Sequence, residues 1–124
     1  MEETLKELKA VHSSNLLIIL SGSTLRIYDE DANIVEFISN LISKSNVLIC
    51  KYKYLENITN ILKKKKIDYT ILDKDSGYKI FKCHRNDINK YNKYLKLSKR
   101  FNKFRRYLIY FYNFIFGIPI NRYN

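Results

Sequence analysis

NLLIILSGSTLRIYDEDA, residues 15–32, is the stretch on which the fold turns. Leu16 to Leu20 is an unbroken apolar run bounded by Asn15 and by Ser21-Gly22. A run that short, set between turn residues, favours a buried strand over a helix. Ser21-Gly22-Ser23 supplies a turn, and Thr24 to Tyr28 alternates as a half-buried strand does. Asp29 or Asp31 then stands where a helix N-cap belongs, followed by an apolar stripe of Ile34, Val35, Ile38, Leu41 and Ile42 at helical spacing. The stretch predicts strand, turn, strand and helix in close succession.

Upstream, Leu5, Leu8 and Val11 or His12 predict a short helix over residues 3–12. Downstream, Val47 to Cys50 reads as a third strand. A second long amphipathic helix from about Tyr54 to Lys66 places Leu55, Ile58, Ile61 and Leu62 on one face. Its lysine run 63–66 falls in the last turn, where cations interact favourably with the helix dipole. Tyr69 to Leu72 predicts a fourth strand, residues 73–77 a polar turn, and Tyr78 to Lys82 a last short strand. From Asp87 to Phe116 the pattern is helical, until Gly117 and Pro119 stop it. This is an α/β chain with a small mixed sheet covered by helices and a long basic C-terminal helix. The expected division is a core over residues 1–82 and a basic, aromatic-rich helical extension over 83–124, packed on the core or associating with it.

A chain of 124 residues holds one core and not two ordinary domains. Its 46% hydrophobic content argues against disorder. With Cys50 and Cys83 alone there is no disulfide framework and no CxxC pair, and the start MEETLKELKA is acidic where a signal peptide is basic. A cytoplasmic location is the expectation. Charge is distributed unevenly. Of the 23 basic and 12 acidic side chains, four and seven lie in residues 1–50, which leaves 19 and five for residues 51–124. Such asymmetry points to a polyanion, either nucleic acid or an anionic membrane. Lysine-rich codon bias raises the total but does not account for the acidic first part.

Residues 15 to about 74 resemble the N-terminal mismatch-recognition domain of the MutS mismatch-repair family. In that family a buried strand leads into G-x-F-Y-E, followed by D-A at a helix start; here Gly22-Ser23-Thr24-Leu25-Arg26 is followed by Tyr28 and Asp29-Glu30-Asp31-Ala32. The family's G-V-P turn is matched in position by Ile49-Cys50-Lys51. Leu55-Glu56-Asn57-Ile58 and Leu62 follow its next helix, V-E-N-Y-L-x-x-L, and Ile67 to Asp73 its closing strand. The resemblance implies the MutS domain I fold in a small stand-alone protein. It also implies a changed reading loop, because the family's Phe wedges beside a mispaired base and its Glu hydrogen-bonds that base. Thr24 and Arg26 stand at those two positions. The chain has no G-x-x-x-x-G-K-[ST], so the ATPase of full-length MutS is not expected.

Residue by residue, Arg26 is the sharpest candidate in the core. It either contacts a phosphate or a narrow minor groove, or pairs with Asp29, Glu30 or Asp31. The acids Asp29, Asp31, Glu36, Asp73 and Asp75 fit helix starts and turns better than a two-metal nuclease site. Cys83-His84 lacks the further ligands a metal needs. The chain is therefore expected to be no enzyme and to carry no cofactor, metal or small-molecule substrate. In the tail, Tyr94, Leu97, Phe101, Phe104, Leu108, Phe111 and Ile115 form a seam at alternating spacings of 3 and 4, suited to core packing or self-association. Lys93, Lys96, Lys99, Arg100, Lys103 and Arg106 lie off that seam as candidate phosphate contacts. The final YLIYFYNFIFGIPI is apolar but only fourteen residues long, too short to span a bilayer.

The expectation that follows is a non-catalytic protein binding DNA through its phosphates, non-specifically, salt-dependently and without mismatch discrimination, and self-associating as a homo-oligomer. Two alternatives come from other classes. One is an oligomerising adaptor using the C-terminal helix; the other, ranked behind it, is a membrane-surface protein using residues 99–120.

Overall fold

The computed structural model describes residues 3–39 and 46–100. Along the chain these form α1 (Glu3–Val11), β1 (Leu16–Ser21), β2 (Thr24–Tyr28), α2 (Asp29–Ser39), β3 (Val47–Lys51), α3 (Leu55–Lys64), β4 (Tyr69–Asp73), β5 (Lys79–His84) and α4, helical over residues 91–100. Short 3-10 turns, Tyr52–Tyr54 and Lys74–Ser76, follow β3 and β4. The five strands make one mixed sheet in the order β3-β2-β1-β4-β5, and β1 with β4 is its parallel pair.

β1 takes the centre because it is apolar at every position that must be covered. A strand buried on both faces needs a continuous apolar run rather than alternation, and Leu16 to Leu20 are all buried. Leu16, Ile18 and Leu20 join Leu25, Ile27, Leu48 and Ile71 in the main core, beneath α2 and α3. Leu17 and Ile19 face the other way, where Leu72 and α1's Leu5 complete a smaller core. β2 alternates, so Leu25 and Ile27 enter the main core while Thr24, Arg26 and Tyr28 turn to the α1 face.

Leu55, Ile58 and Leu62 bury the apolar face of α3. That helix ends without glycine, and Lys66 takes the left-handed backbone instead, at φ 58°.

α4 begins at Tyr91, four residues later than the periodicity predicts, and the cause is hydrogen bonding. Asn89 Oδ1 accepts from the Tyr91 N–H at 3.1 Å and from the Asp68 N–H at 3.0 Å, and its Nδ2 donates to the Ser14 carbonyl. The first of these closes an Asx-turn that leads into the helix; the others staple the helix start to the beginnings of β1 and β4. Asp68 Oδ1 accepts from both the backbone and side-chain nitrogens of Asn86 at 2.8 Å. The division expected at residue 82 falls inside β5, whose Cys83 and His84 pair with Thr70 and Tyr69. Tyr91 and half-buried Tyr94 and Leu95 pack into the main core, so the described part of α4 belongs to the same unit as the sheet. Ile49-Cys50-Lys51, aligned with a family turn, is strand here, and the turn comes one step later at Tyr52–Tyr54. The expected continuation of α2 through Leu41 and Ile42, and of α4 to Phe116, lies outside the described residues.

Asp31 is no cap. It is 3% exposed, and its carboxylate accepts from Lys9 Nζ at 2.8 and 3.0 Å, from the Leu17 N–H at 3.0 Å and from the Tyr91 hydroxyl at 2.6 Å. Lys9 Nζ also sits 4.7 Å from the Tyr91 ring centroid. One side chain thus ties α1, β1, α2 and α4 together. Removing one partner of a buried ion pair strands the other charge, which typically costs about 3–5 kcal/mol. Asp31→Ala should destabilise the fold by that order in chemical denaturation. Lys9→Met with Asp31→Leu should recover much of the loss, because no charge is then left buried. An Asp31→Ala protein within about 1 kcal/mol of the parent would rule this account out.

Candidate functional site

The turn joining β1 and β2 holds the residues matched to the family's reading loop. Gly22 adopts φ 60° at the first central position of a two-residue hairpin, a backbone that favours glycine. Its N–H donates to Asp75 Oδ2 at 3.0 Å, and the Ser23 carbonyl accepts from the Tyr52 N–H at 2.8 Å. The turn is therefore fastened to the segments that follow both β3 and β4. Thr24 spends its hydroxyl on the Ser21 carbonyl at 2.9 Å.

Arg26 lies between Ile19 of β1 and Ile49 of β3 and is half-buried, with its Nε out of solvent and unpartnered among the described residues. Asp31 is committed to Lys9 and Glu30 to Lys99, so neither supplies the ion pair that is one expectation for Arg26.

On α4, Tyr91 and Ser98 are buried, and Tyr94 and Leu97 are half-buried. Tyr94 sits 6.4 Å from Phe37 of α2, ring centre to ring centre. The first residue of the expected self-association seam thus packs on the chain's own core. Lys93, Lys96, Lys99 and Arg100 are exposed. Lys99 reaches Glu30 at 3.0 Å, but both side chains are about half in water, where such a pair contributes at most about 1 kcal/mol. Phe101, Lys103, Phe104, Arg106, Leu108, Phe111 and Ile115 lie outside the described residues.

The fold adds lysines that a linear reading does not group. The Lys90 N–H donates to the Lys66 carbonyl at 2.9 Å, which brings the start of α4 to the C-terminal end of α3. Lys66 is thereby set beside Lys90, at the end of α4 that also carries Lys93. Helix-dipole stabilisation accounts for lysines at 63–66 within the sequence alone; only the tertiary hydrogen bond reveals the second group beside them. Arg26 is not part of this cluster. It lies on the α1 face of the sheet, whereas α3 and α4 cover the opposite one.

The acids are placed for structure. Asp31 and Glu36 are buried, Asp73 accepts from the Asp75 N–H and the Ser76 hydroxyl, and Asp75 holds the β1–β2 turn. Among the described residues no three His, Cys, Asp or Glu side chains gather as metal ligands do. Cys83 and His84 are neighbours in β5 and point to opposite faces, with His84 stacked on Tyr69 at 5.5 Å. Burial, then the nearby Arg85 and Lys9 charges, lower the His12 imidazole pKa. Burial raises the Tyr69 phenol, and burial together with the Asp31 charge drives the Tyr91 phenol well above its ordinary value, so Tyr91 stays a donor to Asp31. No helix among the described residues is long and apolar enough to cross a membrane.

The chain matches no protein-family model, and comparison with curated proteins found no match either.

The two thiols differ in environment. Cys50 is 1% exposed and burial pushes its pKa up to about 11, whereas Cys83 is exposed on β5. Thiolate is the reactive form, so a buried thiol with a raised pKa is inert. Titration of the native protein with a thiol-disulfide exchange reagent at neutral pH should count one fast thiol, and denaturation should release the second. Two equally fast thiols in the native state would contradict the packing of Cys50.

Proposed function

We propose that the chain is a non-catalytic DNA-binding protein that grips the phosphate backbone without reading mismatches, on a fold like the MutS mismatch-recognition domain. The observation that carries this reading is the lysine cluster where α3 meets α4. Lys63, Lys64, Lys66, Lys93 and Lys96 are exposed, and none of them forms an ion pair among the described residues. A group of unneutralised cations on one side of a small protein attracts a polyanion and gains free energy by releasing its counterions. The succession β1, β2, α2, β3, α3, β4 supports the likeness to the MutS domain, since it follows the family's segment order over the matched residues.

The loop supports the loss of mismatch reading. Thr24 has no ring to wedge beside a base, and its hydroxyl is engaged by Ser21. Arg26 carries the opposite charge to the family's Glu and lies on the sheet face away from the lysine cluster. The self-association and membrane-surface alternatives rest mainly on residues 101–120, outside the described residues.

Fluorescence anisotropy with a labelled duplex tests the proposal. Affinity should fall steeply between low and moderate salt, and Lys93→Ala with Lys96→Ala should reduce the slope of log K against log salt by about 2, near one per phosphate contact. Matched and mispaired duplexes should bind within about tenfold of one another, which is roughly 1.4 kcal/mol. Absence of binding at low salt, or a flat salt dependence, would remove the DNA reading. A strong mispair preference would show that another residue does the reading.

A further inference from the structure

A groove of about 450 Å³ runs between α3 and the edge strand β5. Its volume falls within the range of about 300–1,000 Å³ usual for ligand clefts. Ile71 and Leu55 give it an apolar floor, and Tyr52, Phe81, Lys53, Lys63, Lys82 and Glu56 line it. Phe81 is 55% exposed and Tyr52 45% exposed. Single exposed apolar side chains are ordinary, but two aromatic rings in one groove with three lysines are a combination of another kind.

The β4–β5 register explains how the groove acquires its ring. Ile71 pairs with Lys82 and Leu72 with Ile80, so Phe81 is an extra residue with no partner across the ladder. A bulge re-aims side chains, and this one places Phe81 and the adjacent Lys82 together against α3. Lysines and bulges also protect edge strands from unwanted pairing. Protection alone does not call for a half-exposed phenylalanine beside them; such a ring makes an edge stickier.

Charge selects the occupant. Three ammonium groups against the single Glu56 carboxylate leave the groove cationic, and neither Lys63 nor Lys82 forms an ion pair among the described residues. An anionic ligand with flat apolar faces satisfies both features, and unpaired nucleotides have that chemistry. In a duplex each base is stacked and paired, with no face free for a protein ring. In a single strand every base has one, and stacking on aromatics tolerates any sequence. We propose that the α3–β5 groove is a single-stranded nucleic-acid site, with Phe81 and Tyr52 as stacking platforms and Lys53, Lys63 and Lys82 as phosphate contacts. The inference rests on the DNA-binding reading above and adds a strand form and a location to it.

The test compares a labelled oligothymidylate with a duplex of equal length, using the full chain and moderate salt. Phe81→Ala and Tyr52→Ala should each weaken single-strand binding by roughly fivefold or more and leave duplex binding within about twofold. Phe81→Tyr, which keeps a ring, should retain single-strand binding, and thermal melts should show all three variants folded. Lys93→Ala with Lys96→Ala should do the reverse and act mainly on the duplex. Unchanged single-strand affinity in Phe81→Ala and Tyr52→Ala, or equal losses on both nucleic acids, overturns the groove assignment and leaves the duplex reading standing. A parent protein that binds the duplex alone overturns the groove likewise. A parent protein that binds neither nucleic acid defeats both proposals.

Discussion

One buried carboxylate organises this fold. Asp31 opens no helix by capping it; it takes four donor contacts from three other elements, and each contact fixes a different relationship. The Leu17 N–H sets α2 against the start of the central strand. Lys9 closes α1 over the smaller core and also donates to the Asn15 carbonyl. Tyr91 brings α4 back across a sequence separation of 60 residues. Burial raises the Asp31 carboxyl pKa, while Lys9, Tyr91 and the Leu17 N–H oppose that shift. A carboxylate so placed is weak evidence of stability, because desolvating it offsets much of what its partners return. Its donors come from three separate elements, so the contacts are all made only when those elements take their places together.

What could be read from the sequence and what could not divides along physical lines. The apolar run of β1, the alternation of β2 and the stripe of α3 are local periodic signals, and the sheet and helices appear where those signals place them. Asp31 looks from the sequence like any acid at a helix start, because its donors come from residues 9, 17 and 91. The start of α4 is misplaced for the same reason. Asn89 is one polar residue in a polar stretch, and only the fold shows its bonds to Ser14, Asp68 and Tyr91. The bulge at Phe81 has no sequence mark either, since KIFKCH reads as a plain short strand. The lysine cluster was half legible: residues 63–66 and the α4 cations were each visible, but not their meeting through Lys90 and Lys66.

The two faces of the sheet carry different consequences for binding. A strand sends successive side chains to opposite sides, so burying Leu25 and Ile27 under the helices commits Arg26 to the α1 face. The loop that resembles a mismatch reader and the cations that could hold a backbone are therefore separated by the thickness of the sheet. A protein that used both on one duplex would need nucleic acid to pass around its edge. Backbone binding at α3 and α4, as proposed, needs no contribution from the hairpin.

Charge, finally, is less balanced at the surface than in composition. Among the acids, Asp31, Glu36 and Asp68 are buried, and Asp73 and Asp75 are tied to backbone N–H groups at turns. Glu30 is matched by Lys99. Acids used in this way contribute little to the field seen by an approaching ligand along α3 and α4. The lysines are spent differently: long stems and high desolvation cost keep their ammonium groups in water, and of the described lysines only Lys9 is drawn into a buried ion pair. Part of the acidic charge is thus turned inward or held at turns while most of the described lysines stay in water, and the proposed polyanion surface rests on that difference.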